Sequence, residues 1–138
     1  MENNNLISGL TFHHVAILVE SIEVSKVHYA EVFGKENVSD VIIVDSQKVK
    51  ICFVKISEGS YIELVEPIDE DSVVYKLLKK RHTYYHIAYN VKDIHGMVSR
   101  LEKLNYKALK FFNSATRKGK LCIFLYTPEA HLIELIEE

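Results

Sequence analysis

Two histidines and two glutamates occur at matching intervals along the chain. Glu63 follows His14 by 49 residues, and Glu134 follows His86 by 48 residues. Two neutral imidazoles and two carboxylates offset the charge of a divalent cation, and this mixed nitrogen and oxygen set suits first-row metals such as Zn²⁺, Co²⁺, Ni²⁺, Mn²⁺ or Fe²⁺. The pattern therefore predicts one divalent metal ion bound by these four side chains. An octahedral ion would keep two positions for water or for substrate oxygens.

The sequence around the first histidine is repeated around the second. HHVAILVESIE at 13–23 aligns with YHIAYNVKDIH at 85–95, and this offset of 72 also matches Ala16 with Ala88. A chain of 138 residues is too short for two domains of ordinary size, so the repeat indicates two modules inside one domain. Equivalent side chains would then be neighbours across a pseudo-twofold axis. The small Ala16 and Ala88 would leave room there for a substrate.

Each module is predicted to fold as one strand, one helix and three further strands. Runs rich in β-branched and aromatic residues predict strands at 11–20, 40–44, 48–54, 61–67, 84–91, 106–111, 120–127 and 131–137. Ser21 and Asp93 are typical N-caps for the two helices, and Gly34 closes the first one. In the second helix, apolar residues recur with helical spacing at Ile94, Met97, Val98, Leu101 and Leu104.

A third, short helix is predicted between the modules. The stretch DSVVYKLLKK has Asp71 as its N-cap and places Val74, Leu77 and Leu78 on one stripe. We therefore expect a single α+β domain over 1–138, with module one at about 10–67, a connector helix at about 71–80 and module two at about 83–138.

The overall composition excludes several classes of protein. Hydrophobic residues make up 48% and charged residues 26%, as in ordinary globular proteins, and the net charge of −2 gives no general attraction to nucleic acid or membranes. No apolar run reaches the roughly 20 residues of a transmembrane helix, and MENNNLISGL lacks the features of a secretion signal. We expect a cytoplasmic protein whose two cysteines, Cys52 and Cys122, are buried free thiols.

Several stretches resemble the vicinal oxygen chelate superfamily, which includes the glyoxalases and bleomycin resistance proteins. They are HHVAILVESIEVSKVHYAEVFG, QKVKICFV leading to IELVEPIDEDSVVYKLLKK, YHIAYNVKDI, and GKLCIFLYTP followed by LIELIEE. The resemblance covers roughly residues 10–137 and, within the superfamily, is closest to the methylmalonyl-CoA epimerases. It implies a glyoxalase-like fold, in which two tandem βαβββ modules form a cupped mixed sheet. The metal ligands of the family fall on His14, Glu63, His86 and Glu134.

The resemblance also implies an activity. It points to a metal-dependent isomerase that transfers a proton alpha to a carbonyl, epimerising methylmalonyl-CoA or a related acyl thioester through a metal-stabilised enolate. Glu63 and Glu134 are then the candidate catalytic bases. One alternative is a glyoxalase I-type lactoylglutathione lyase, because Glu at position 63 is usual in that enzyme and Gln is frequent in epimerases. Another is a non-catalytic small-molecule binding module of the same fold.

Other residues have weaker assignments. Ile51 occupies the position at which some epimerases place a glutamate base. Residues 106–120 contain five basic side chains and no acidic one, so this segment is a candidate contact for the phosphates of an acyl-CoA. The remaining histidines, among them His13, are assigned no role. A homodimer is expected from the resemblance alone.

Overall fold

The structure is a computed structural model that describes residues 9–138, and these divide into two compact units. The first unit comprises residues 14–85, and the second comprises residues 9–13 together with 86–138. Residues 1–8, which belong to the stretch that argues against a secretion signal, lie outside the described residues. Within residues 9–138, no helix has the length and apolar character needed to cross a lipid bilayer.

The first unit contains a four-stranded mixed sheet and two α-helices. Its elements are β1 (Leu10–Leu18), α1 (Ile22–Phe33), a 3₁₀ turn (Lys35–Asn37), β2 (Ile42–Val44), β3 (Val49–Ser57), β4 (Ser60–Pro67) and α2 (Tyr75–Lys79). The strand order is β2-β3-β4-β1, with β4 parallel to β1 and the other neighbours antiparallel. The start of β1, up to His13, is counted with the second unit.

The second unit repeats this plan. Its elements are β5 (Tyr84–Val91), α3 (Ile94–Lys103), β6 (Lys107–Asn113), β7 (Leu121–Tyr126) and β8 (Leu132–Glu137). The first two residues of β5 belong to the first unit. The strand order β6-β7-β8-β5 matches that of the first unit, and β8 is again parallel to β5. The predicted α+β fold with a repeated βαβββ module is therefore confirmed.

The helix ends follow the capping residues of the sequence, with one exception. The Ser21 hydroxyl accepts a hydrogen bond from the backbone N–H of Val24 (3.2 Å), and the Asp93 carboxylate accepts one from Gly96 (3.0 Å). Gly34 ends α1 with a φ of 95°, a conformation that glycine adopts without strain. Asp71 is wrong as the cap of the connector helix. It lies in a turn closed by its own N–H and the Asp69 carboxylate (2.9 Å), and α2 begins only at Tyr75.

Each sheet packs apolar side chains on both faces. On the first unit's helix α1 side, the buried residues are Ile22, Cys52, Val54 and Leu64, and on its other side they are Ala16, Leu18, Val44, Val49, Ile51, Val65 and Val74. On the second unit's helix α3 side they are Val91, Ile94, Met97, Val98, Leu101, Ile123, Leu125, Ile133 and Leu135. The predicted α3 stripe is confirmed except at Leu104, which is 45% exposed because the helix ends at Lys103.

Candidate metal centre

A buried histidine and a buried glutamate face each other in the first unit. His14 lies on β1 and Glu63 on the parallel strand β4, where the strand register pairs Ala16 with Glu63. The His14 Nε2 atom is 3.2 Å from the Glu63 Oε1 atom. The two residues are 2% and 8% exposed, respectively. A carboxylate so deeply buried is costly unless a partner offsets its charge, and the imidazole or a cation held by both can do this.

The second unit contains an equivalent pair. His86 lies on β5 and Glu134 on β8, and the register here pairs Ala88 with Glu134. The His86 Nε2 atom is again 3.2 Å from the Glu134 Oε1 atom, and both residues are buried to the same extent as their counterparts. The repeat found in the sequence therefore extends to the side-chain geometry of each histidine–glutamate pair.

An aromatic ring packs against each histidine. Phe53 on β3 lies opposite Glu63 in the register, and its ring meets the His14 imidazole edge-on with centroids 5.6 Å apart. Phe124 on β7 lies opposite Glu134 and meets His86 in the same way at 5.1 Å. These rings restrict the orientation of both imidazoles. Our sequence reasoning missed them, although each phenylalanine precedes its glutamate by ten residues.

The geometry of each pair fits a shared metal ion. Two ligand atoms that each lie about 2.0–2.2 Å from one ion, at octahedral or tetrahedral angles, are separated by roughly 2.9–3.5 Å. The observed separation of 3.2 Å falls within this interval in both units. The ligand atoms of His14 and Glu63 are thus close enough to hold one ion. That both pairs bind a single ion stays a prediction.

Position 51 on the first unit's sheet face carries isoleucine and not a carboxylate. It pairs in register with Val65, two residues along β4 from Glu63, and therefore lies on the same face as Glu63. It is buried in the apolar cluster on that side. The position at which some epimerases are expected to carry a base is thus aliphatic, so Glu63 is the acidic residue that this part of the face supplies.

The basic segment at 106–120 is not a single loop. Lys107 and Lys110 lie on the exposed edge of β6, which continues to Asn113. The Arg117 Nη1 atom is 2.8 Å from the His13 Nε2 atom. Because a guanidinium only donates hydrogen bonds, this nitrogen of His13 accepts, and the imidazole is neutral. His13, to which the sequence assigned no role, therefore binds Arg117.

Both cysteines are free and buried, as predicted. Burial raises the pKa of the Cys122 thiol to about 12, and burial also raises the pKa of Cys52. Both thiols are therefore protonated at neutral pH. Since the thiolate is the nucleophilic form, neither cysteine is a candidate nucleophile.

Comparison with known proteins places the chain in a known superfamily. The family model for the glyoxalase/bleomycin resistance protein/dioxygenase superfamily matches residues 13–126. No curated protein sequence matches the chain significantly.

Among solved structures, the chain is similar to a methylmalonyl-CoA epimerase from Mycobacterium tuberculosis, with a TM-score of 0.78 and 26% identity, over 99% of this chain and 92% of that one. It is also similar to a variant of the Streptomyces coelicolor methylmalonyl-CoA epimerase in complex with 2-nitronate-propionyl-CoA, with a TM-score of 0.79 and 26% identity, over 95% of this chain and 99% of that one. The predicted glyoxalase-like fold is confirmed, and the chain belongs to the glyoxalase/bleomycin resistance protein/dioxygenase superfamily.

Proposed function

We propose that this protein is a metal-dependent isomerase that transfers a proton alpha to a carbonyl, and that it epimerises methylmalonyl-CoA or a related acyl thioester. The observation that carries the proposal is the pair of matched contacts, His14 with Glu63 and His86 with Glu134, each at 3.2 Å and each buried. The similarity to epimerases, one of them solved with methylmalonyl-CoA bound, supports the choice of substrate.

In this proposal His14, Glu63, His86 and Glu134 hold one divalent cation. Two imidazole nitrogens and two carboxylate oxygens suit Zn²⁺, Co²⁺, Ni²⁺, Mn²⁺ or Fe²⁺. When bound, the cation supplies Lewis acidity, which lowers the free energy of the enolate formed when the alpha proton leaves. A phenylalanine ring packs against each histidine, whose Nε2 atom lies 3.2 Å from the neighbouring glutamate.

The two glutamates are the proposed bases. Inversion requires that a proton be removed from one face of the alpha carbon and returned to the other. Glu63 and Glu134 occupy equivalent positions of the repeat, so each could serve one face as general acid or base. The aliphatic Ile51 supports this assignment, because no other carboxylate is present at that point of the first unit's sheet face.

The test compares Glu63→Gln and Glu134→Gln with the unchanged protein. Metal content is measured by elemental analysis after incubation with Co²⁺, and turnover by deuterium uptake from solvent into methylmalonyl-CoA. We expect the unchanged protein to bind one equivalent of metal, and each variant to lose at least about 100-fold in exchange rate, a typical contribution of general acid–base catalysis. Glu137→Gln is the matched control, since Glu137 lies on β8 but faces the opposite side from Glu134.

Unchanged metal content and exchange rate in both variants would rule out the proposed roles of the glutamates. Failure of the unchanged protein to retain any divalent metal would instead favour a non-catalytic binding module.

One observation favours a second candidate, a glyoxalase I-type lactoylglutathione lyase. The residue that contacts His14 is a glutamate, Glu63, as is usual in that enzyme. Position 51, where some epimerases carry a glutamate base, is occupied by isoleucine. The two candidates share the ligands and the proton transfer and differ in the thiol carrier. Assays with a glutathione hemithioacetal and with methylmalonyl-CoA separate them. A single-domain organisation, a cytoplasmic location and a homodimeric state remain predictions.

A further inference from the structure

The histidine-bearing sheet face of the second unit carries a polar residue where the first unit carries leucine. Asn90 follows His86 and Ala88 on β5 at intervals of two, so the three side chains share one face. The repeat aligns Asn90 with Leu18 of β1, which is 2% exposed and packs in an apolar cluster. The fold therefore accommodates an aliphatic side chain at this point of the module, and the amide of Asn90 is not needed for the strand to form.

The Asn90 side chain makes no hydrogen bond within the described chain. Its Oδ1 atom is buried, and no donor among residues 9–138 reaches it. Buried polar atoms in folded proteins nearly always have a partner, because an unpaired acceptor loses its hydration without compensation. An unpaired amide of this kind is suited to a ligand that provides the missing donor.

The surroundings of Asn90 are apolar and are not covered by a helix of the second unit. Besides His86 and Glu134, the buried residues on this face are Ala88, Cys122 and Ile136, with Phe112 packed against them, and Asn90 pairs in register with Ile136. The rings of Phe112 and Phe124 stack with centroids 5.2 Å apart. A hydrogen bond made in such a setting is stronger than one made in water.

The distance from the histidine indicates which part of a substrate would reach Asn90. Four residues of extended strand separate Asn90 from His86, or about 13 Å. About twelve bonds of an extended chain cover that distance, since three backbone bonds advance by roughly 3.3 Å. Glu134 is nearer, since Asn90 pairs with Ile136, two residues along β8 from Glu134. Asn90 therefore lies beside the metal-binding residues and within reach of an arm that begins there.

We propose that Asn90 binds a secondary amide in the carrier arm of the thiol substrate, and that this contact selects carriers that contain such an amide. A secondary amide offers an N–H donor for Oδ1 and a carbonyl acceptor for the Nδ2 group. The inference rests on the proposed function, because it presumes a substrate whose reacting carbonyl lies near His86. The carriers of acyl-CoA and of a glutathione adduct both contain secondary amides, so the experiment includes both.

The test uses Asn90→Leu, which installs the residue found at Leu18, and Asn90→Asp, which keeps an oxygen acceptor. Steady-state kinetics are measured for methylmalonyl-CoA, a glutathione hemithioacetal and the S-ethyl thioester of methylmalonate, which has no amide. For the carrier that the enzyme uses, we expect Asn90→Leu to raise KM about tenfold with kcat unchanged, the effect of one lost hydrogen bond in an apolar site. KM for the S-ethyl thioester should not change.

A binding measurement provides a readout that does not depend on turnover. Isothermal titration with a non-reactive thioether of coenzyme A, and separately with S-methylglutathione, should show the same tenfold loss for the carrier that is recognised. Asn90→Asp should retain part of the affinity. Asn90→Leu should unfold at the same temperature as the unchanged protein or higher, since it removes an unpaired polar group. If that variant does not fold, Asn90→Ala replaces it in both measurements.

Two results would overturn the inference. One is an unchanged KM and Kd for both amide-bearing carriers in Asn90→Leu, and the other is an equal effect on the S-ethyl thioester. Failure of the proposed function looks different. In that case the unchanged protein exchanges no substrate and retains no metal, while a loss of thioether affinity in Asn90→Leu would still support the contact.

Discussion

The first and second units follow the same chain path, yet they cover their histidine-bearing sheet faces differently. In the first unit, Val74, Leu77 and Leu78, in and just before the connector helix α2, pack on this face in a large apolar cluster. In the second unit, the corresponding face has three buried apolar residues with Phe112 beside them, and it carries Asn90.

The histidine–glutamate contact is nevertheless the same in both units, at 3.2 Å. The two units thus keep the same histidine–glutamate geometry, while the residues beside it differ: a large apolar cluster in the first unit and a smaller one with Asn90 in the second.

The largest expected effect is on the free energy of unfolding, when a buried leucine on the helix side of each unit is truncated. Equal losses would show that the two units are equivalent on these sides. Leu64 and Leu135 are the leucines of the repeated I-E-L motif, and both are fully buried. Leu64→Ala and Leu135→Ala should each lower the free energy of unfolding by about 2–5 kcal/mol, the usual range for a leucine cavity. Urea denaturation measures both values. The exposed Leu104→Ala should change stability by less than about 0.5 kcal/mol. A difference of more than about 2 kcal/mol between the two buried variants would break the equivalence.

A smaller loss of stability is expected when packing is removed from the histidine-bearing sheet face of the first unit. Val74→Ala removes two methyl groups from the fully buried contact on the first unit's sheet, so stability should fall by about 2 kcal/mol. Val73→Ala, at a position that is 65% exposed, is the matched control and should have almost no effect. Thermal and urea unfolding measure the change. Equal stability of the two variants would show that this packing does not support the first unit.

The smallest effect compares the two helix caps. Ser21→Ala and Asp93→Ala each remove a side-chain acceptor from the first turn of a helix, and each should cost about 1 kcal/mol. Asp93→Asn keeps the acceptor but removes the charge that favours a helix N-terminus, so it should cost only a few tenths of a kcal/mol. Denaturation midpoints of the three variants give the comparison. A neutral Asp93→Ala would show that the cap does not stabilise α3.

Much of the fold was predictable because its signals are local. Ser21, Gly34 and Asp93 mark helix ends through contacts within a few residues, and the α3 stripe follows from helical periodicity. The prediction was wrong where two local arrangements compete. Asp71 looks like a helix cap, but the Asp69 carboxylate accepts its N–H and forms a turn instead. Leu104 fits the helical spacing but lies beyond the last residue of α3.

The amino-acid sequence by itself determined the repeat, the strand and helix order, and the two histidine–glutamate couples, because residue type and spacing are properties of the chain. Only the tertiary structure decided that the histidine Nε2 and glutamate Oε1 atoms of each pair lie 3.2 Å apart. That distance depends on how β1 and β4, or β5 and β8, align in register. The tertiary structure also decided which sheet face α2 covers and that the buried Oδ1 atom of Asn90 has no partner within residues 9–138. These features arise from packing between segments far apart in the chain, which no local pattern encodes.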